Sequence, residues 1–234
     1  MVDKDRYLQI RIPSDELHSR LGLGIPKSSL MMIEGQDGSG KSILAQRMTT
    51  AFLRQGVSVT YISTELTNRD FLIQMDSINY PVAEFFLNGQ LIFIPMFPRF
   101  GKTIPRKDFF ARMMRAEPLF RSDAIIIDSL SPLISETFTQ ESYFELLLFF
   151  KKLIGMDKVI ILAVNPDFID TKLLRILEST CDIHFDLRMK SVGASLKRFI
   201  EVKRFKGGSK QVGELIGFRV EPGLGFVVEI ASVM

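Results

Sequence analysis

The chain has one cysteine, Cys181, two histidines and no tryptophan in 234 residues. A lone cysteine excludes an internal disulfide, and with two histidines no zinc-type ligand cluster is expected. A reducing cytoplasm is therefore the expected compartment. The first twenty residues, MVDKDRYLQIRIPSDELHSR, are charged where a signal peptide needs an apolar stretch. No window reaches the roughly 18 apolar residues of a membrane span, so any membrane contact is expected to be peripheral. Internal repeats, low-complexity tracts and Pro/Gly/Ser-rich linkers are also lacking, so residues 1–234 are read as one domain. With 46% apolar residues, such a domain can bury a continuous core.

What is present is an alternation of short apolar runs with longer amphipathic ones. SLMMIEG (29–35), VSVTYIS (57–63), QLIFIP (90–95), AIIID (124–128) and KVIILAV (158–164) predict strands buried on both faces, separated by helices. That pattern is an α/β fold with a mostly parallel sheet. From Cys181 the pattern changes, because Cys181, Ile183, Phe185 and Leu187 alternate with Asp182, His184, Asp186 and Arg188. A strand wet on one side is expected there, with the sheet finishing antiparallel through residues 196–205, 214–220 and 226–230. His184 falls on the polar face and receives no role. Tyr143, Phe144, Leu146, Leu147, Leu148, Phe149 and Phe150 make a helix apolar almost all round, which predicts burial on several sides, as core or as a contact surface.

The net charge of +3 is unevenly spread. Residues 99–121 carry seven Lys/Arg against two acids, and residues 188–210 carry eight against one. Each stretch is either a solvated face or a surface for phosphate, nucleic acid or an acidic partner. The segment MFPRFGKTIPRK (96–107) mixes aromatics with basic residues and reads as a surface connection or as a docking loop.

The chemistry is concentrated in GQDGSGKS. Gly35, Gly40, Lys41 and Ser42 satisfy G-x-x-x-x-G-K-[ST], with Gln36, Asp37, Gly38 and Ser39 between them. Glycines let backbone N–H groups approach phosphate oxygens without a Cβ in the way. Lys41 offers a charge to the β/γ phosphates and Ser42 a hydroxyl to Mg²⁺, and the following helix presents its positive end. The pattern lies between a predicted strand and a predicted helix, which is the context it requires. The expected ligands are ATP and Mg²⁺. Asp128, closing its strand, is the carboxylate expected to hold the Mg²⁺ water shell. Ser129 follows it, where many P-loop motors carry a glutamate. Glu65, just past the second strand, is therefore the candidate general base. It also reads as an acid leading into a helix, since Thr67 and Asp70 form a capping box. Asn165, before Pro166, reads either as a γ-phosphate sensor or as a helix cap.

GIPKSSLMMIEGQDGSGKS (24–42), VTYISTE (59–65), IIIDSLS (125–131) and the antiparallel extension together resemble the KaiC-like branch of the RecA ATPases. Within that branch the chain is similar to the accessory ATPases of the archaeal flagellum, the archaellum. The resemblance implies a RecA-like P-loop domain that binds ATP and assembles with copies of itself, as a hexameric ring. It also implies docking beside the archaellum motor ATPase under a membrane platform protein, in the cytoplasm at the membrane-bound motor. The resemblance further implies that Glu65 takes the catalytic-glutamate place. KaiC-like proteins reach a neighbouring subunit's nucleotide with a Lys-x-Arg pair, whereas this chain has Lys203, Arg204, Phe205 and Lys206 there. Strand alternation puts Arg204 and Lys206 on one face and Lys203 on the other. Arg and Lys are not interchangeable in such a finger, so slow hydrolysis by a nucleotide-dependent switch is expected. Two rivals are a RecA/RadA-like DNA-dependent ATPase of recombination or repair and a small-molecule P-loop kinase.

Overall fold

The computed structural model describes residues 4–13, 15–22, 24–96, 112–134, 139–192, 195–210, 212 and 215–229. Most of the segment 96–107 and residues 99–111 of the first basic stretch lie outside them. A two-stranded ribbon, β1 (Tyr7–Gln9) with β2 (Gly24–Pro26), brackets the short helix α1 (Leu17–Leu21). The rest is built on nine strands: β3 (Ser29–Gly35), β4 (Val59–Ser63), β5 (Leu91–Pro95), β6 (Ala124–Asp128), β7 (Val159–Val164), β8 (Ile183–Val192), β9 (Ser195–Phe205), β10 (Leu215–Glu221) and β11 (Gly225–Glu229). Their order in the sheet is β11-β10-β9-β8-β3-β7-β6-β4-β5. Every pairing from β5 to β8 is parallel, and the antiparallel part begins at the β8–β9 pair. It therefore starts one strand later than the alternation suggested, because β8 pairs in parallel with β3.

The continuous apolar runs are explained by helices on both faces. On one face Met31, Ile33, Tyr61, Ile126 and Ile161 pack with α2 (Lys41–Arg54) and α3 (Asn68–Ser77), with α4 (Ala83–Leu87) at its edge. On the other, Leu30, Met32, Ile62, Ile127 and Leu162 pack under α5 (Gln140–Ile154) and α6 (Thr171–Thr180). Alternate positions of each strand thus feed two separate cores, as a period of two requires. Helix α5 is less enclosed than its composition predicts. Tyr143, Leu146, Leu147 and Phe150 are buried, but Phe144 and Leu148 are 49% and 65% exposed. No helix among the described residues is long and apolar enough to cross a membrane.

A β-bulge decides the direction of the late basic residues. His184 pairs with Arg204, but Phe185 pairs with Val202, which leaves Lys203 without a partner in the ladder. The extra residue shifts the alternation. Phe205 joins Ile200 and Val202 against the core, stacked on Phe185 at 6.0 Å between ring centroids. Lys203 and Arg204 therefore line one cleft together. The expectation that Lys203 faces away from Arg204 is corrected by this single inserted residue.

Candidate functional site

All parallel strands point the same way, so Gly35, Ser63, Asp128 and Val164 end along one edge of the sheet. Ligands of open α/β sheets bind outside such an edge. There the loop 36–40 turns the chain from β3 into α2. Gly40 takes the N-cap position at φ 100°, a left-handed conformation natural to glycine. A Cβ at this position would lie 3.0 Å from the ring of Phe218. Nothing lies within 4 Å of where a Cβ on Gly38 would sit, so the loop is open on that side.

The start of α2 differs from that of the other helices of ten or more residues. Thr67, Thr139 and Asp170 cap α3, α5 and α6 with side-chain oxygens. Helix α2 has no side-chain cap and no acid in its first turn. Its first N–H groups have no partner within the helix, and the positive end of its dipole opens into a cleft of about 650 Å³. Such a helix start favours an anion.

Around that opening the side chains are held in place. Lys41 donates from Nζ to the Gln36 carbonyl at 2.9 Å, and Asp37 lies 4.0 Å away. Burial pushes the Lys41 ammonium below its ordinary pKa, while the carboxylates of Asp37, Asp128, Glu65 and Asp167 resist the shift. Ser42 donates to Oδ1 of Asp128 at 3.0 Å, and the buried Tyr61 hydroxyl donates to Oδ2 at 2.5 Å. Asp128 is 5% exposed. Burial raises its pKa, and the hydrogen bonds from Tyr61 and Ser42 oppose that rise. Burial likewise pushes the Tyr61 phenol well up, so it remains a donor.

Glu65 is exposed on the lip of the cleft. Thr67 caps α3 and binds Asp70, so the capping box forms without Glu65. Asn165 is buried and does two things. Its Oδ1 accepts from the Asp167 N–H at 3.1 Å, capping the turn Pro166–Phe168, and its Nδ2 donates to Asp37 of the loop at 2.8 Å. Lys203, Arg204 and Lys206 lie away from this cleft. Lys203 bonds Glu201, and Lys206 reaches Asp182 at 3.4 Å. Arg204 donates to the carbonyls of Glu178, Ser179 and Cys181 at the end of α6.

Sequence reasoning missed Tyr61 and Arg198. Tyr61 sits two residues before Ser63, which pairs with Asp128. Period-two pairing of the two predicted strands would have brought it to that carboxylate. Arg198, on β9, donates to the Gly38 carbonyl at 3.0 Å, and no local signal announces it.

A parallel sheet whose inner strand feeds a glycine loop into an uncapped helix, beside a strand ending in a buried aspartate, defines a P-loop nucleotide-binding fold of the RecA type. A family model described as "ATPase: KaiC" matches residues 12–225. The archaeal flagellar ATP-binding protein FlaH of Methanococcus voltae is 34% identical over 97% of this chain and 99% of its own length. The crystal structure of the flagellar accessory protein FlaH from Methanocaldococcus jannaschii superposes with a TM-score of 0.88 at 33% identity, covering 96% of this chain and 100% of that one. A KaiC-like protein of Pyrococcus horikoshii shares the fold, with a TM-score of 0.73 at 18% identity over 94% of this chain and 99% of that one. The chain belongs to the KaiC ATPase family, within its FlaH group.

Proposed function

We propose that this chain binds Mg·ATP and acts as a nucleotide-dependent switch accessory to the archaeal flagellar motor, with slow hydrolysis or none. The observation that carries the reading is the bare N-terminus of α2, opening on a cleft with Lys41, Ser42 and Asp128 at its mouth. In this reading the backbone from Gly35 to Ser42 encloses the triphosphate and Lys41 meets the β/γ oxygens. Ser42, and Asp128 through water, would hold Mg²⁺. The donors fit that ion, being a hydroxyl and a carboxylate, and the raised pKa of Asp128 marks a desolvated charge that a cation relieves. When bound, Mg²⁺ neutralises charge on the phosphate oxygens.

Glu65, free of the capping box, is the general base in this scheme, and Asn165 reads the γ-phosphate through its link to Asp37. Lys203, Arg204 and Lys206 serve as the finger toward a neighbouring copy. Arg204 must leave three carbonyls to act in trans, which supports slow turnover. The names of the relatives support an archaellum role. The partners we assign are other copies in a ring, the motor ATPase and the membrane platform protein, met by a chain peripheral to the membrane.

The DNA-dependent ATPase reading has less support, since most cations of 188–210 have partners in their own chain, among them Arg188, Lys197, Arg198, Arg204 and Lys210. Single-strand binding that weakens steeply with salt, together with DNA-stimulated turnover, would favour it instead. Two measurements test the switch. Turnover of the purified protein is expected to be slow; fast turnover abolished by Glu65→Gln would refute a passive switch. Co-purification with the motor ATPase is expected to depend on ATP, and retention indifferent to nucleotide would contradict it.

A further inference from the structure

On the face of the sheet away from α2, one residue before the phosphate loop, a second polar cluster is built into the fold. Glu34 has the parity of Leu30 and Met32 and so faces the α5/α6 layer. His184, on the neighbouring strand β8, is 8% exposed, and its Nε2 lies 2.7 Å from Oε2 of Glu34. Glu178, in the last turn of α6, completes the group. One ligand atom from each of the three side chains lies within 4.8 Å of the other two.

We propose that Glu34, Glu178 and His184 bind a divalent transition-metal ion of the Zn²⁺ type. The cleft they share also holds Arg175, Arg188, Lys203 and Arg204, so it is the donor set and its spacing that favour a cation. Arg188 is engaged at 2.9 Å by both Asp186 and Glu201, Lys203 pairs with Glu201, and Arg204 is held on backbone carbonyls that orient its guanidinium without neutralising it. Among the described residues neither Glu34 nor Glu178 has a Lys or Arg ion pair. Glu178 also stands at the negative end of the α6 dipole, where a carboxylate is unfavourable and where Arg204 already complements the last carbonyls. An imidazole among the donors selects Zn²⁺, Ni²⁺ or Cu²⁺ over Mg²⁺ or Ca²⁺. Zn–N and Zn–O bonds of about 2.0–2.2 Å place donor atoms roughly 3–4 Å apart, a spacing reached from the observed one by small side-chain rotations. Counting cysteines and histidines alone predicts no such site, because carboxylates supply two of its three ligands. The ion would tie β3, β8 and the end of α6 together directly behind Gly35.

The test uses the full chain, stripped with chelator and free of nucleotide and Mg²⁺. Co²⁺ is titrated by visible absorption and Zn²⁺ by calorimetry. Saturable uptake of one ion is expected, with a rise of several degrees in Tm. His184→Gln and Glu178→Ala should each weaken uptake at least tenfold. Asp128→Asn, at the nucleotide side, should leave uptake unchanged. The proposal is overturned by absence of saturable uptake, by uptake indifferent to both His184→Gln and Glu178→Ala, or by uptake lost in Asp128→Asn alone. Glu178 is partly exposed at a helix end, so its replacement tests the site even if the His184 variant folds poorly.

Discussion

Lys41 and Asp128 are charges held against their own solvation. Both have pKa values displaced by burial toward the neutral form, so each ionised group costs stability at neutral pH. Asp128 holds its proton more tightly folded than unfolded. Its contribution to stability is therefore largest in acid, below the ordinary value of 3.8, and is lost as pH rises through the raised folded value. Asp128→Asn should accordingly raise the Tm of the nucleotide-free protein while weakening Mg²⁺-dependent nucleotide binding by tenfold or more. An unchanged affinity in titrations with and without Mg²⁺ would separate Asp128 from the site. Tyr61→Phe removes one of the two hydrogen bonds that hold the carboxylate ionised, so it should weaken binding in the same direction. The pair Arg47–Asp15 behaves differently. Both side chains are fully buried, joined at 2.7 and 3.0 Å. Asp15→Ala leaves an unpaired buried guanidinium and should cost about 3–5 kcal/mol in denaturant unfolding.

At the scale of elements, the loop into α2 and the bulge in β9 are the two places where one residue fixes geometry. Gly40→Ala places a Cβ against Phe218 in a left-handed conformation. It should lower nucleotide affinity at least tenfold and cost about 1–2 kcal/mol. Deleting Lys203 removes the extra residue and leaves a regular ladder, Val202, Arg204 and Phe205 opposite Phe185, His184 and Ile183, with Phe205 still on the core and Arg204 still off it. The deletion should therefore leave unfolding cooperative, whereas inserting a second residue after Lys203 would turn Phe205 off the core and should drop Tm sharply; Lys203→Ala should change stability by less than about 0.5 kcal/mol. These elements also show what the sequence makes legible. β3, β4, β6 and β7 and the phosphate loop were readable because uninterrupted apolar runs and fixed glycine spacing are local signals. The bulge was not, because it depends on which residue of β9 faces Phe185. Tyr61, Arg198 and the buried His184 were missed for the same reason, since each acquires its partner through strand pairing across the sheet. The ribbon β1–β2 is too short to carry a period.

The whole molecule is a sheet with helices on both faces, its parallel strands ending along one edge that opens on the cleft at the start of α2. Ligand binding to the folded chain alone should stabilise it by about 2.7 kcal/mol at a hundredfold excess over Kd, visible as a Tm that climbs with ATP concentration. Isothermal titration calorimetry of the nucleotide-free protein with Mg·ATP tests this binding most directly. The account predicts a saturable heat for one nucleotide per chain in the micromolar to millimolar range, lost in Lys41→Ala. No heat in the native protein, or the same heat in the variant, would contradict it.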